Sequence, residues 1–232
     1  MGLLRRFPAR RAELLGCLLI LLAMLAGVGA LRMQTDFASL LALFTLELLL
    51  PLGMGLMAAG CLAGDPILEL LLTAHRPAWQ VLVERLAFLL ALGGLLGWMA
   101  LRLFEHWQLP LPIRAEDRLF IWLSPLLFCL GCASAAALLR GRALDGGMSV
   151  IALMGGALVT VPFVTHACAA TPPGGFCVWW LVNPLATLGG GLGLVWSFNR
   201  LLGLSLGVGL LVLSIYLARR EEALLHVAGA VD

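Results

Sequence analysis

Two cysteine pairs and a histidine have the residue types and spacing that redox or metal chemistry would use. Cys129 and Cys132 are separated by two residues within an apolar run, and His166 lies two residues before Cys168, with Cys177 further along the chain. A metal or haem site needs additional ligands in a defined geometry. Because no acid, histidine or second pair lies near Cys129 and Cys132, we interpret them as small buried apolar residues.

The spacing of Cys168 and Cys177 instead predicts a disulfide bond. The eight residues between them include the sequence Thr-Pro-Pro-Gly-Gly from Thr171 to Gly175, which can reverse the direction of the chain. Both cysteines are predicted to face an oxidising outer compartment, where disulfides persist. The alternative is that they pack as two separate small apolar side chains.

Glu47 is the one acidic residue well inside a predicted membrane span. An ionisable side chain at that depth is costly and is often functional. Glu47 can line a translocation path, pair with an arginine or stay protonated. The alternative is a structural hydrogen bond where two helices meet.

The basic residues exclude one class of nucleotide site. All fifteen are arginine, so the chain lacks the lysine that a Walker A phosphate loop requires. No serine–histidine–acid set and no pair of carboxylates stands out. We therefore expect no enzymatic activity and no cofactor on this chain; if ATP drives the protein, a partner subunit must bind ATP and Mg²⁺.

The composition predicts an all-α integral membrane protein. Of the 232 residues, 62% are hydrophobic and 12% are charged, whereas soluble domains carry about 25% charged residues. A helix needs about 20 apolar residues to cross the hydrocarbon core of a bilayer. Six runs are of suitable length and are predicted as spans, at residues 14–31, 37–64, 86–103, 119–139, 148–170 and 201–218.

Residues 178–200 form an ambiguous segment before the last span. It contains Asn183-Pro and three successive glycines, followed by Trp196, Asn199 and Arg200. We predict a re-entrant element that enters the membrane from the outer side and returns, with Trp196 in the interfacial aromatic belt. Protein or water must cover such non-helical backbone.

The arginines predict the orientation of the chain. Six spans place ten arginines on the inner side and five, including Arg200, on the outer side, whereas a seventh span gives eight against seven. Because inner loops carry the excess of basic residues, six spans with both termini in the cytoplasm fit better.

Residues 65–85 are predicted to form an amphipathic elbow on the cytoplasmic surface. Asp65 before Pro66 is typical of a helix start. Pro77 ends this helix and allows a second one to begin. The charged and polar residues of the elbow that we single out are Asp65, Glu69, His75, Arg76, Glu84 and Arg85.

The elbow and the end of the chain resemble two motifs of ABC-2-type transporter permeases, and the six-span plan connects them. In the elbow, the matching residues are Leu68-Glu-Leu-Leu-Leu-Thr73, Pro77 and Arg85. At the end of the chain, they are Asn183-Pro184, Trp196, Asn199-Arg-Leu-Leu202 and Arg220-Glu-Glu222.

This resemblance implies a single transmembrane domain over residues 1–232, acting as the permease subunit of an exporter in the bacterial inner membrane. ABC ATPase subunits would dock on the elbow, which would serve as a coupling helix, and a second permease copy or a paralogue would complete the path. Glu47 would line that path with the second and fifth spans. The apolar spans suit a hydrophobic or amphipathic substrate; the expected partners include membrane lipid and no nucleic acid.

Three other functions stay open at this stage. A haem-exporter permease of cytochrome c maturation shares the six-span plan and a similar elbow. A membrane redox or metal protein would use Cys129 and Cys132, or His166. A membrane scaffold would carry no substrate, and the elbow would then be an interfacial helix without a partner.

Overall fold

The structure, a computed structural model, describes residues 11–31, 34–62, 77–111, 114, 117–140, 143–169, 183–187 and 194–228. These residues are predominantly helical and contain no β-strand. The predicted all-α class is therefore confirmed for the described part of the chain.

Seven α-helices and one π-helical segment make up the described bundle. The first are α1 (Arg11–Ala30) and α2 (Thr35–Phe44), and α2 continues through the π segment Thr45–Leu49 into α3 (Leu50–Leu62). The remaining helices are α4 (Ala78–His106), α5 (Arg118–Arg140), α6 (Ala143–Ala169) and α7 (Leu194–Ala228).

Five helical stretches within the described residues are long and apolar enough to cross a membrane. They indicate an integral membrane protein, in line with the composition. The predicted first span, residues 14–31, lies largely within α1, which is not one of the five, so the count of six spans stays a prediction. The five stretches are Asp36–Gly60, Trp79–His106, Arg118–Arg140, Leu144–Cys168 and Val195–Arg220.

Helix α4 begins where the sequence predicts a helix, whereas α7 begins earlier than predicted. Pro77 caps α4 with an extended backbone, at ψ 132°, and the helix begins at Ala78, where the elbow sequence predicts a second helix. In contrast, α7 begins at Leu194 rather than at the predicted Leu201. The last part of the predicted re-entrant element, up to Arg200, is therefore the first part of the last helix.

Glycine lets α5 and α7 pack with their backbones close together. A Cβ atom at Gly207 would lie 2.6 Å from the backbone carbon of Leu127, and one at Gly203 would lie 2.6 Å from Oγ of Ser124. Gly203 and Gly207 are four residues apart and so share one face of α7. Small residues of this kind permit close helix approach in membranes. This contact holds α7 against α5 directly after Arg200.

Candidate functional site

A π-helical segment carries Glu47 into the centre of the bundle. Pro51 has no N–H and therefore cannot donate to the carbonyl of Glu47, four residues earlier. The N–H of Leu50 instead donates to the carbonyl of Thr45, five residues earlier, which is the π-helical pattern. The side chain of Glu47 is fully buried, at 0% exposure.

The ionic partner of Glu47 is Arg200 on α7. Arg200 Nη2 forms an ion pair with Glu47 Oε1, and Arg200 is only 2% exposed. Arg200 Nη1 also donates to the carbonyl of Pro184 at 3.0 Å, and Nη2 donates to Oγ1 of Thr187 at 2.8 Å. One carboxylate and two neutral oxygens therefore surround the buried cation.

The segment 183–187 connects these two charges to an aromatic ring. The N–H of Thr187 donates to Glu47 Oε1 at 3.1 Å, and Oγ1 of Thr187 accepts from Nε1 of Trp196 at 2.8 Å. The Cζ atom of Arg200 lies 5.5 Å from the centroid of the Trp196 ring, which is within the range of a cation–π interaction. Glu47, Thr187, Trp196 and Arg200 form one buried polar group, named here the Arg200 cluster.

Two asparagines attach the segment 183–187 to the neighbouring helices. Asn199 Nδ2 donates to the carbonyl of Asn183 at 2.8 Å. Oδ1 of Asn183 accepts from the N–H of Leu185 at 2.9 Å, and Nδ2 of Asn183 donates to the carbonyl of Ala157 at 3.3 Å. These bonds satisfy polar groups of a non-helical stretch inside the bundle, as the membrane interior requires.

The Arg200 cluster has no net charge but retains one hydrogen-bond donor. An isolated buried charge is very costly, whereas a paired and hydrogen-bonded charge is tolerated. Arg200 Nε–H nevertheless has no acceptor among the residues that the structure describes. Because unsatisfied buried donors are rare in native proteins, this atom needs an explanation.

Arg200 and Trp196 are both buried in the bundle, because α7 begins at Leu194 and packs against α5 from its first turns onward. The outer location predicted for Arg200 and the interfacial belt predicted for Trp196 stay predictions. The ion pair is one of the roles that the sequence leaves open for Glu47, and its place on a translocation path stays a prediction.

The residues predicted to dock ATPase subunits are only partly described. Asp65, Glu69, His75 and Arg76 lie outside the described residues. Glu84 and Arg85 lie near the start of α4, the first exposed and the second buried, and each has an interaction partner. At this end of the bundle, Cζ of Arg219 lies 4.2 Å from the centroid of the Trp79 ring, so the last helix contacts the start of α4.

The cysteines fall into two classes. Cys129 and Cys132 on α5 are free, and Cys129 is fully buried. A Cβ atom at Gly55 would lie 3.2 Å from Cβ of Cys129, so this cysteine packs where two helices meet. Cys168 is disulfide-bonded, and Cys177, its predicted partner, lies outside the described residues.

His166 lies exposed near the end of α6. Over the described part of the chain, no three histidine, cysteine, aspartate or glutamate residues are grouped so that they could hold a metal ion.

Sequence reasoning missed two hydroxyl residues of the site, Thr187 and Ser124. Thr187 accepts hydrogen bonds from two side chains of the Arg200 cluster, and Oγ of Ser124 donates to the backbone carbonyl of Arg200 at 2.8 Å. Neither residue belongs to a motif. Their side-chain type could have indicated them, because hydroxyl side chains within apolar spans commonly make hydrogen bonds between helices.

Comparison of the chain with known protein families, with curated proteins and with solved structures finds no match.

Proposed function

We propose that this chain is the permease subunit of an ATP-driven exporter of the ABC-2 type, which moves a hydrophobic or amphipathic molecule out of the cytoplasm or the inner leaflet. The proposal starts from the resemblance of the elbow and of the chain end to that family. The structural observation that supports it best is that α7 makes contacts near both ends of the bundle. Near one end, Arg219 contacts Trp79 in the second part of the elbow, and near the other end Arg200 pairs with Glu47.

In this proposal, α7 transmits movement from the elbow to the Arg200 cluster. An ATPase subunit docks on residues 65–85 and displaces the start of α4. The contact between Trp79 and Arg219 passes this displacement to α7, a single helix of 35 residues. Glu47 lies on a different helix, so the displacement changes the geometry of the ion pair. Nucleotide binding can shift the equilibrium only if it acts differently on two such arrangements.

Charge reversal in the elbow tests the docking of the ATPase. We expect Glu69→Arg to abolish copurification of the ATPase subunit while the protein still inserts into the membrane, because an acid on the docking helix becomes a cation. Glu116→Arg is the matched control, since it makes the same change in a loop that the predicted topology places on the opposite side. Tagged proteins are purified from the native membrane, and any ABC ATPase is identified by mass spectrometry.

Two outcomes of this experiment would count against the proposal in different ways. Wild-type protein that copurifies with no ABC ATPase would overturn the exporter function. Retention of the ATPase by Glu69→Arg at the level of Glu116→Arg would show that Glu69 does not contribute to docking.

A further inference from the structure

A cleft of about 710 Å³ opens between the second half of α6 and the rest of the bundle. Residues from Leu153 to Ala167 line it on the α6 side, and Phe128 of α5, Asn183 and Pro184 line it on the other side. We name this space the lateral cleft. Packed helices leave few voids larger than a water molecule between them, so this part of α6 is not packed against α5.

The first half of α6, residues 143–154, is in contrast packed tightly against two other helices. A Cβ atom at Gly146 would lie 2.6 Å from the carbonyl oxygen of Ala133 on α5 and 2.9 Å from Cβ of Ala59 on α3. Val150, one turn further along, is fully buried. Because backbone atoms of a neighbouring helix cannot move aside as flexible side chains can, this half of α6 is fixed in the bundle.

The second half of α6 has few contacts with the bundle. Over residues 155–168, all of which the structure describes, Ala157 and Val164 are the only buried side chains. Nδ2 of Asn183 donates to the carbonyl of Ala157 at 3.3 Å and to Oγ1 of Thr160 at 3.4 Å. Both distances exceed the range of about 2.7–3.2 Å of most N–H···O hydrogen bonds, so these bonds hold α6 only weakly.

Two glycines lie where the packed half of α6 meets the loose half. A Cβ atom at Gly155 or at Gly156 would meet nothing within 4 Å, so close packing within the chain does not account for either glycine. Glycine weakens a helix because its backbone keeps the most conformational freedom. Further along, Pro162 cannot donate to the carbonyl of Leu158, four residues earlier. Sharp bends in helices occur at proline and at pairs of small residues such as glycine, so α6 can bend directly beyond its fixed half.

We propose that the second half of α6 is a flap, which bends at Gly155 and Gly156 and opens or closes the lateral cleft against Phe128. A bend of about 20° at Gly156 moves His166, about 15 Å further along the helix axis, by roughly 5 Å. Because α6 lies within the candidate span Leu144–Cys168, the open flap exposes the cleft to the bilayer and the closed flap covers the cleft with α6 itself.

The surroundings of the flap allow both positions. Lipid chains are as apolar as the wall of the cleft, so closing it in a membrane gains little hydrophobic free energy and opening it costs little. Two states of similar free energy are both populated, and a bound molecule or a partner then shifts the balance between them. The flap is a property of this chain and holds whether or not an ATPase docks on the elbow.

Distances between two spin labels, measured by pulsed electron paramagnetic resonance in lipid nanodiscs, test the flap. One pair joins Leu119 on α5 to His166 in the flap, and both residues are exposed and do not line the cleft. The reference pair joins Leu119 to Met148, which is exposed in the fixed half of α6. The labels are attached to non-canonical amino acids, so that the native cysteines, including the disulfide-bonded Cys168, stay unchanged.

We expect the distances of the flap pair to spread over about 5 Å more than those of the reference pair. Combining Gly155→Ala with Gly156→Ala should narrow the flap pair to the width of the reference pair, because alanine fits both positions and favours a regular helix. Gly209→Ala on α7 is the matched control, since a Cβ atom there also meets nothing within 4 Å, and it should leave the width unchanged.

Three outcomes would overturn the flap. The first is an equal spread of the flap pair and the reference pair in the wild type. The second is a spread that the double alanine variant reduces no more than Gly209→Ala does. The third comes from protein labelled at His166 alone: a distance between two copies that the double alanine variant removes would show that the glycines form an interface with a second copy.

Discussion

Glu47 and Arg200 depend on each other because neither side chain reaches the surface of the bundle. Each charge would be costly alone, but the ion pair and the hydrogen bonds of Thr187 and Pro184 compensate both. A pair of this kind adds little net stability compared with apolar residues of the same volume. The pair also fixes which surface of α7 faces the π segment.

Removing one charge at a time tests this dependence. We expect Glu47→Gln and Arg200→Met each to lower the free energy of unfolding by about 3–5 kcal/mol, because each leaves the other charge buried and unpaired. The double variant contains neither charge and should recover more than half of that loss. Thermal unfolding in detergent measures all three proteins. A double variant whose loss equals the sum of the single losses would show that the two residues are not coupled.

Thr187 can be tested separately from the charges. Thr187→Val keeps the shape of the side chain but removes the acceptor of Trp196 Nε1 and Arg200 Nη2. We expect a loss of about 1–3 kcal/mol, the cost of leaving buried donors unsatisfied. Thr165→Val is the control, because the exposed Thr165 hydroxyl bonds only to the carbonyl of Val161 in its own helix. Equal melting temperatures of the two variants would contradict the role of Thr187.

At the scale of the helices, hydropathy and proline were sufficient to locate most elements. The apolar runs predicted at 86–103, 119–139 and 148–170 lie within or overlap α4, α5 and α6, because long apolar runs in a membrane must form helices. The start of α7 was missed because Asn199 and Arg200 resemble the polar end of a span when their partners are unknown. Those partners range from Thr187, which lies 13 residues before Arg200, to Glu47 in the π segment, and only the fold brings them together.

The π segment was also missed, although Pro51 signals it. A proline in an apolar run predicts a break in the hydrogen-bond ladder, but it does not show how the helix accommodates the break. Here the helix widens over Thr45–Leu49 and continues into α3. The π segment sets the position of Glu47 within the bundle. Its pairing with Arg200 could therefore not be predicted from residue spacing alone.

Packing of α5 against α7 depends on Gly207 because glycine has no Cβ atom. A Cβ atom there would lie 2.6 to 2.8 Å from backbone atoms of Leu127 and Phe128, which cannot move aside as a flexible side chain can. We expect Gly207→Ala to lower the free energy of unfolding by about 1–3 kcal/mol, as overpacking does. Gly209→Ala is the matched control on α7, since a Cβ atom there meets nothing within 4 Å. Similar melting temperatures for the two variants would contradict this packing.

At the scale of the whole molecule, the described helices give the bundle two chemically different ends. At one end, Arg219 contacts the Trp79 ring. At the other, Arg118 and Arg102 both pair with Glu105, at 2.8 Å and 3.0 Å. Arginines at this second end therefore pair with an acid on the same surface. That the end with Arg219 faces the cytoplasm stays a prediction from the arginine count.

Cysteine labelling from one side of the membrane tests this orientation. Ala115 and Arg142 flank α5, a single candidate span from Arg118 to Arg140, so the two positions must lie on opposite sides if α5 crosses the membrane. We expect a membrane-impermeant maleimide to label Ala115→Cys in intact spheroplasts and Arg142→Cys only after permeabilisation, each above the signal of protein without an added cysteine. Labelling of both from the same side would show that α5 does not cross. The reverse pattern would place the elbow outside the cell, away from ATP, and the proposed docking of an ATPase would then be impossible.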